Sequence, residues 1–449
     1  MIKNVINKAD FAYWFSIIIN FGSALIVIPV AYIYLKDEEL ALWFSLSLLV
    51  SISFFSDFGA SQSLLRLNQF PRSGWNKIPS YGSQIEKKKN NQNLRNTDLE
   101  KKLVNTSFLE ALQFNIFFVI VGLLICVYIS DARIQLAITN EIFKFVCLIY
   151  LLNIPIQNLT IFFSHLIQSK DQVFDAKIID MSIGAIRIIF QASTLIFIND
   201  FLLFCFAHLL GSIIGLFFYT FICIKNRYIN FNLKNLLLGH NLNSYNQFKI
   251  RIGAMTFGSF LILNSGPIII SNYSDPKLVS AFFLSTKIFL VLKTICQVPI
   301  LSVVPKFGNF RANNELNKLV YLFSKRSRLS ISLFILSFIS LLFFSKNISL
   351  FGLESDLIIP FNLLFIMGVI YLLELNHGNH AQLYLSKNHQ PFLIPSIISG
   401  FLILLLSLPA ANFYGILGLL IVQGFIQLSF NNWYPIYLNI KDLKTAKIF

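Results

Sequence analysis

The chain alternates between uninterrupted apolar runs of about twenty residues and short polar joints. Few folds tolerate that pattern. In a bilayer every backbone N–H and C=O must be satisfied inside its own segment or by a closed barrel. Barrel strands alternate in polarity over about ten residues, whereas these runs are continuous and twice as long. They are transmembrane helices. Composition agrees: 55% of residues are hydrophobic and 13% charged, against about 25% charged in soluble domains.

Twelve spans follow from the runs, at 11–35, 41–65, 108–130, 143–167, 178–198, 201–224, 252–272, 278–305, 329–345, 357–385, 393–409 and 412–438. The ninth is only marginally long enough but still reaches across with Ser345 and Lys346 at its edge. The first is too long for a signal-peptide core, and Lys36-Asp37-Glu38-Glu39 follows it instead of a small-residue cleavage site, so it is expected to be retained. Five cysteines lie inside apolar runs without a CxxC pair and read as small buried hydrophobes. No metal site or cofactor motif is expected, and no GxxxxGK[ST] sequence occurs for ATP.

Basic residues fix the orientation. With the N-terminus in the cytoplasm, 28 of the 36 Lys and Arg fall in inner segments, 5 in outer ones and 3 inside spans. That asymmetry satisfies the positive-inside rule and accounts for the net charge of +15 without nucleic acid as a partner. The longest inner segment, 66–107, contains "EKKKNNQNLRNTDLEKK" and reads as a solvated, partly disordered loop, with docking of a partner or of anionic lipid as the sharper option. A faint internal repeat sets Pro29 twelve residues before Ala41 and Pro267 twelve before Val279. The expected plan is therefore all-α, with a six-helix half over 1–224 and another over 225–449 around a central cavity near mid-membrane.

A charge at the bilayer centre costs roughly 2.5–3.5 kcal/mol on insertion scales, so each interior charge calls for a partner or a wet cavity. In the fifth span Lys177, Asp180, Gly184, Arg187, Gln191 and Thr194 share one helical face, with isoleucines and phenylalanines on the others. Asp180 and Arg187 stand about 10 Å apart along the axis, too far for a relaxed ion pair. In the eighth span Lys293 and Gln297 face together, while Lys287 points elsewhere. The tenth contains "ELNHGNHAQLY", where Glu374 and His377 share a face and suit proton transfer; a zinc site from His377 and His380 lacks a third ligand. His165 and His208 read as structural. In the second span "SFFSDFGASQSLLR" puts Asp57 on a face with Ser61 and Leu64, lining a polar, inward-opening cavity, while Arg66 snorkels to headgroups. The interior cations Arg187, Lys287 and Lys293, with Gln191 and Gln297, are the candidate substrate contacts. Glu374, His377, Asp57 and Asp180 are the candidate ion-coupling groups.

The segment "SDFGASQSLLR" resembles a feature of polysaccharide flippases, an acidic-Phe-Gly run before a basic residue. "AQLYLSKNHQPFLIPSIISG" (381–400) is similar to the joint between their tenth and eleventh spans. By layout and these motifs the whole chain resembles the Wzx-type flippases for O-antigen and other lipid-linked oligosaccharides. That family belongs to the multidrug/oligosaccharidyl-lipid/polysaccharide (MOP) exporter superfamily. The resemblance implies a V-shaped alternating-access exporter in the bacterial inner membrane with both termini cytoplasmic. It implies transfer of an undecaprenyl-diphosphate-linked oligosaccharide to the periplasmic leaflet, driven by protons or Na+. It also implies a monomer surrounded by membrane lipids, with a polysaccharide polymerase as a possible partner, and no enzymatic step.

Two other classes compete. A multidrug and toxin extrusion-like antiporter calls for an acidic cavity for organic cations, whereas three Lys/Arg stand here against three Asp/Glu. A membrane polymerase or ligase calls for a large outer loop, and no outer connection exceeds about a dozen residues by this span assignment. A channel lacks its ring of repeated pore residues.

Overall fold

Long apolar segments deprived of water close their hydrogen bonds along the helix axis, and the described chain is helix throughout. The computed structural model describes residues 26–53, 57–72, 75–78, 96–130, 140–170, 172–229, 242–273, 275–304, 315–347, 357–386 and 391–445, with Phe15, Ile19, Phe307 and Phe310. Residues 26–34 are helical. Thirteen further helices follow: α1 (Asp37–Ile52), α2 (Ala60–Leu67), α3 (Gln69–Arg72), α4 (Thr97–Ser130), α5 (Asn140–Gln168), α6 (Val173–Ser193), α7 (Phe201–Lys225), α8 (Asn243–Ile270), α9 (Pro276–Leu301), α10 (Leu316–Lys346), α11 (Phe361–Leu385), α12 (Leu393–Ile426) and α13 (Tyr434–Thr445). No strand occurs among the described residues.

Nine of the described helices are long and apolar enough to cross a membrane. The sequence pattern gives twelve spans, and the difference has physical causes. Most of the first span lies outside the described residues. The second is broken, so neither α1, at 16 residues, nor α2, at 8, crosses alone. Spans eleven and twelve run together in α12 but are two helices: Gly415 has φ 56 and ψ −137. A Cβ added to Gly418 would lie 2.3 Å from the carbonyl of Ala410, whereas eight residues of straight helix separate such positions by about 12 Å. The chain has reversed there.

Three expectations need correction. The ninth span is not marginal, because α10 runs for 31 residues. The 66–107 segment is not one solvated loop: α2 and α3 occupy its start, and α4 begins at Thr97, inside the quoted polar stretch. Residues 73–74 and 79–95 of that segment lie outside the described residues. The second span is not a continuous helix to residue 65.

The chain divides into two compact units, Met1–Phe257 and Gly258–Phe449; the sequence-based division lies at 224/225. In the first unit α5 is the hub, packed by α1, α2, α4 and α7, with α6 laid mainly on α7. In the second, α11 holds the same place among α9, α10, α12 and α13. These are the fourth and tenth spans, so the faint sequence repeat has a counterpart in packing. Exposed faces such as Phe217, Phe221 and Ile224 on α7, or Leu336, Ile339 and Phe343 on α10, carry large apolar side chains, as a lipid solvent requires.

Candidate functional site

Asp57 sits at the break in the second span. Its carboxylate accepts from the amide of Gly59 at 2.9 Å and from that of Ser61 at 2.6 Å. These amides open α2 and have no partner within the helix. Phe58 and Gly59 both take positive φ, 47 and 82. On the other side of the break the Ser53 carbonyl, freed where α1 ends, accepts from Asn158 Nδ2 at 3.2 Å, and Asn115 Nδ2 donates to Asn158 Oδ1 at 3.1 Å. Side chains thus meet the Gly59 and Ser61 amides on one side and the Ser53 carbonyl on the other. Gly59 also lets α8 come close: a Cβ there would lie 2.7 Å from the Gly253 nitrogen, and one on Gly253 would lie 2.3 Å from the Phe58 carbonyl oxygen. Asp57 is 2% exposed and faces these amides. The shared helical face with Ser61 and Leu64 expected from the sequence does not exist, because the helix starts afresh between them. Arg66 is exposed.

On α6 the expected polar face is present and is turned onto α7. Gly184 and Gln191 are buried, while Ile189 and Phe197 on other faces are exposed. Lys177 Nζ pairs with Asp180 Oδ2 at 2.9 Å, and Tyr219 Oη on α7 donates to Asp180 Oδ1. Asp180 and Arg187 therefore do not pair, as their spacing predicts. The Arg187 stem lies across Gly211, where an added Cβ would meet it at 3.1 Å. Its Nη2 donates to Ser212 Oγ at 3.1 Å, and its Nε is buried without an acceptor. Among the described residues no carboxylate lies within 4.0 Å of this guanidinium. His208, one turn from Ser212, stacks on Tyr150 at 5.9 Å.

In the second unit the sequence-predicted residues of α9 and α11 come together. Lys293 Nζ pairs with Glu374 Oε1 at 3.0 Å, with side chains 12% and 14% exposed. Four residues further on, Gln297 lies against Gly378, where a Cβ would come within 2.6 Å of its Nε2. The two rungs advance in the same direction on both helices, so α9 and α11 run parallel, as two spans separated by one crossing must. Glu374 Oε2 is buried without a partner. His377 Nδ1 meets the Asn431 carbonyl at 2.8 Å, in the wide turn Gln427–Asn431 that extends α12. His380 instead meets Phe323 edge-on at 4.9 Å, and its carbonyl accepts from Asn439. The two histidines serve different neighbours, and no group of three metal-ligating side chains occurs among the described residues. Lys287 is half-buried with no hydrogen bond or ion pair among the described residues.

Sequence reasoning misses Glu110. It lies at the third residue of the third apolar run and pairs with Lys249 at 2.7 Å, beneath the Gly59–Gly253 contact. Lys249 also stands 5.4 Å over the Phe114 ring. It misses Glu100 too, which pairs with Lys170. The signal available for Glu110 is a lone acid inside an apolar run; for Glu100, within a polar segment, there is none. All five cysteines are buried and free, as expected.

The chain matches no protein-family model, and no curated protein sequence matches it. Solved structures do. The lipid II flippase MurJ in an inward closed conformation superposes with a TM-score of 0.65 at 14% identity, covering 96% of this chain and 87% of that one. A mutant of the Vibrio cholerae MATE transporter VcmN gives 0.61 at 14% identity, covering 97% and 96%. A MOP superfamily transporter from Pyrococcus furiosus, described by a reversed polarity of its binding pocket, gives 0.56 at 12%, covering 96% of each. The all-helical fold is that of the MOP transporters.

Proposed function

We propose that this multi-pass membrane protein is a flippase that carries an undecaprenyl-diphosphate-linked oligosaccharide from the cytoplasmic to the periplasmic leaflet of a bacterial inner membrane by ion-coupled alternating access. The observation that carries this reading is Arg187. A guanidinium has five N–H donors; one here reaches Ser212 and the Nε–H finds no acceptor. A cation held inside a membrane helix pair without a carboxylate, among the described residues, is matched to an anion that comes and goes. A diphosphate meets that need, because guanidinium binds phosphate oxygens bidentately.

Lys293 adds a second cation, already occupied by Glu374. For Lys293 to take a phosphate oxygen, Glu374 must let go, and protonation of Glu374 is the event that releases it. The Glu374 carboxylate and the substrate phosphate then compete for Lys293, so protonation of Glu374 and binding of the phosphate favour each other, which is the minimal requirement for coupling them. Lys287, Gln191, Gln297, His377 and Asp180 complete the set of candidate contacts and proton carriers. Asp57 supports the site by capping the break in the second span.

A drug-extruding antiporter is the second reading. The Lys293–Glu374 pair bears on it, since it neutralises that cation and reduces the cationic excess that argues against this reading to Arg187 and Lys287. One experiment separates the two. A strain lacking its oligosaccharide flippase is complemented with the wild type and with Arg187→Ala, scored for surface polysaccharide and for resistance to cationic drugs. Polysaccharide export that fails in Arg187→Ala with normal protein in the membrane supports the flippase; drug resistance without export supports the antiporter.

A further inference from the structure

The joined ends of α6 and α7 enclose a feature that neither the ion pairs nor Arg187 uses. α7 closes with three consecutive amides turned back: Asn226 to Ile222, Arg227 to Ile224 and Tyr228 to Cys223, at 3.0, 3.0 and 2.9 Å. Arg227 takes φ 54 to make that closure, the left-handed stop that ends many helices. The reversal brings Tyr228 over the entry to α6, where its Oη donates to Gln172 Oε1 at 2.6 Å and Lys170 stands 5.7 Å above its ring. Beside this clasp lies an open cavity of about 330 Å³, walled by Ile178, Ile179 and Ile222 and edged by Gln172, Asp175, Lys225 and Asn226. Small-molecule sites begin at about this volume.

The edge carries one charge of each sign. Asp175 and Lys225 are both exposed, and among the described residues neither has an ion-pair partner. They belong to opposite helix ends, Asp175 to the first turn of α6 and Lys225 to the last turn of α7. Exposed apolar side chains flank the cavity: Phe174, Ile178, Phe221 and Ile224 are 42%, 37%, 54% and 53% exposed. These residues stand at the ends of two membrane spans, where the bilayer changes from acyl chain to headgroup.

We propose that this cavity binds the headgroup of a zwitterionic aminophospholipid, with its phosphate on Lys225 and its primary ammonium on Asp175, and its acyl chains along the apolar faces of α6 and α7. Both charges of the edge are then matched by one molecule. Phosphatidylglycerol matches Lys225 but offers Asp175 no positive charge, and a quaternary ammonium has no N–H to donate to it. The site is separate from Arg187 and does not depend on the substrate.

The test uses the full chain purified in mild detergent and native mass spectrometry, with phosphatidylethanolamine, phosphatidylcholine and phosphatidylglycerol of matched acyl chains. The wild type is expected to retain one phosphatidylethanolamine about tenfold more tightly than either other lipid, the value of one charge-assisted contact. Asp175→Asn is expected to lose that preference. Lys225→Gln is expected to weaken phosphatidylethanolamine and phosphatidylglycerol alike. Both side chains are exposed, so the unfolding temperature in detergent should not move. Equal retention of phosphatidylcholine overturns the proposal. So does phosphatidylglycerol binding as tightly as phosphatidylethanolamine with Asp175→Asn silent, which marks a plain anionic-lipid site. So does displacement of the lipid by millimolar inorganic phosphate, which marks a free-phosphate site.

Discussion

The Lys293–Glu374 pair lends itself to a quantitative test, because its two members are held 3.0 Å apart, mostly buried, and on different helices. Removing one partner of a buried pair leaves a charge uncompensated and typically costs about 3–5 kcal/mol, whereas replacing both by apolar groups of similar size is often neutral. Glu374 Oε2 already lacks a partner, so the carboxylate is poorly provided for even with Lys293 in place. Lys293→Met should therefore destabilise strongly, and Glu374→Leu comparably. The double variant should recover most of the loss, so that the two single losses are strongly non-additive. The assay is thermal unfolding of the detergent-purified protein followed by a fluorescent reporter on unpaired thiols. All five cysteines are buried and become reactive only on unfolding. Each single variant should unfold roughly 3–5 °C below the wild type, and the double close to it. Export should then part from stability, with the double variant folded and inactive. Strictly additive losses would show that the two groups do not depend on each other and would refute the ion-pair reasoning. Full export by a stable double variant would remove the pair from the transport cycle.

Further expectations follow from the other polar groups. Arg187→Lys should restore only part of the export lost in Arg187→Ala, because an ammonium reaches one phosphate oxygen where the fork reaches two; equal rescue in the complementation assay would show that charge alone matters. Asp57→Ala should lower the unfolding temperature by the loss of a cap, about 0.5–2 kcal/mol, with Asp57→Asn retaining most stability and export; an export defect in a fully stable Asp57→Asn would make the carboxylate's charge functional. Gly253→Ala should lower the yield of folded protein, since its Cβ has only 2.3 Å to the Phe58 carbonyl oxygen; an unchanged yield and melting point would mean that the α8 contact is not tight. A reporter fused at Gln92 should show a cytoplasmic location, and a periplasmic signal would reverse the orientation read from the basic residues.

The sequence pattern made the helices and the amphipathic faces legible, but not what those faces meet. Of the α6 stripe, Asp180 and Arg187 meet α7, as a 3–4 spacing of polar groups on one face predicts. Its counterpart is α7, whose relevant positions are Gly211, Ser212 and Tyr219. Small residues in an apolar run carry no polarity signal, so nothing in the α7 sequence announces a partner for Arg187. Lys293 and Glu374 raise the converse difficulty. Each was legible as an interior charge, yet 81 positions separate them in the chain, and no local pattern says that one answers the other.

Asp57 shows why an acid in an apolar run is an ambiguous signal. Two physical needs put a carboxylate there: a wet cavity that solvates charge, or a helix interruption whose amides need an acceptor. The residues around it distinguish the two. Gly59 follows at the second position and Ser61 at the fourth, the spacing at which an aspartate side chain reaches the amides of a new helix. Asn158, in the fourth span, then holds the Ser53 carbonyl where α1 ends. Phe58 and Gly59, at the start of the new helix, lie against Gly253 of α8. α8 in turn contains the division between the two units, at Phe257 and Gly258. The acid of the resemblance motif therefore acts on the backbone, whereas Glu374 answers a cation on another helix.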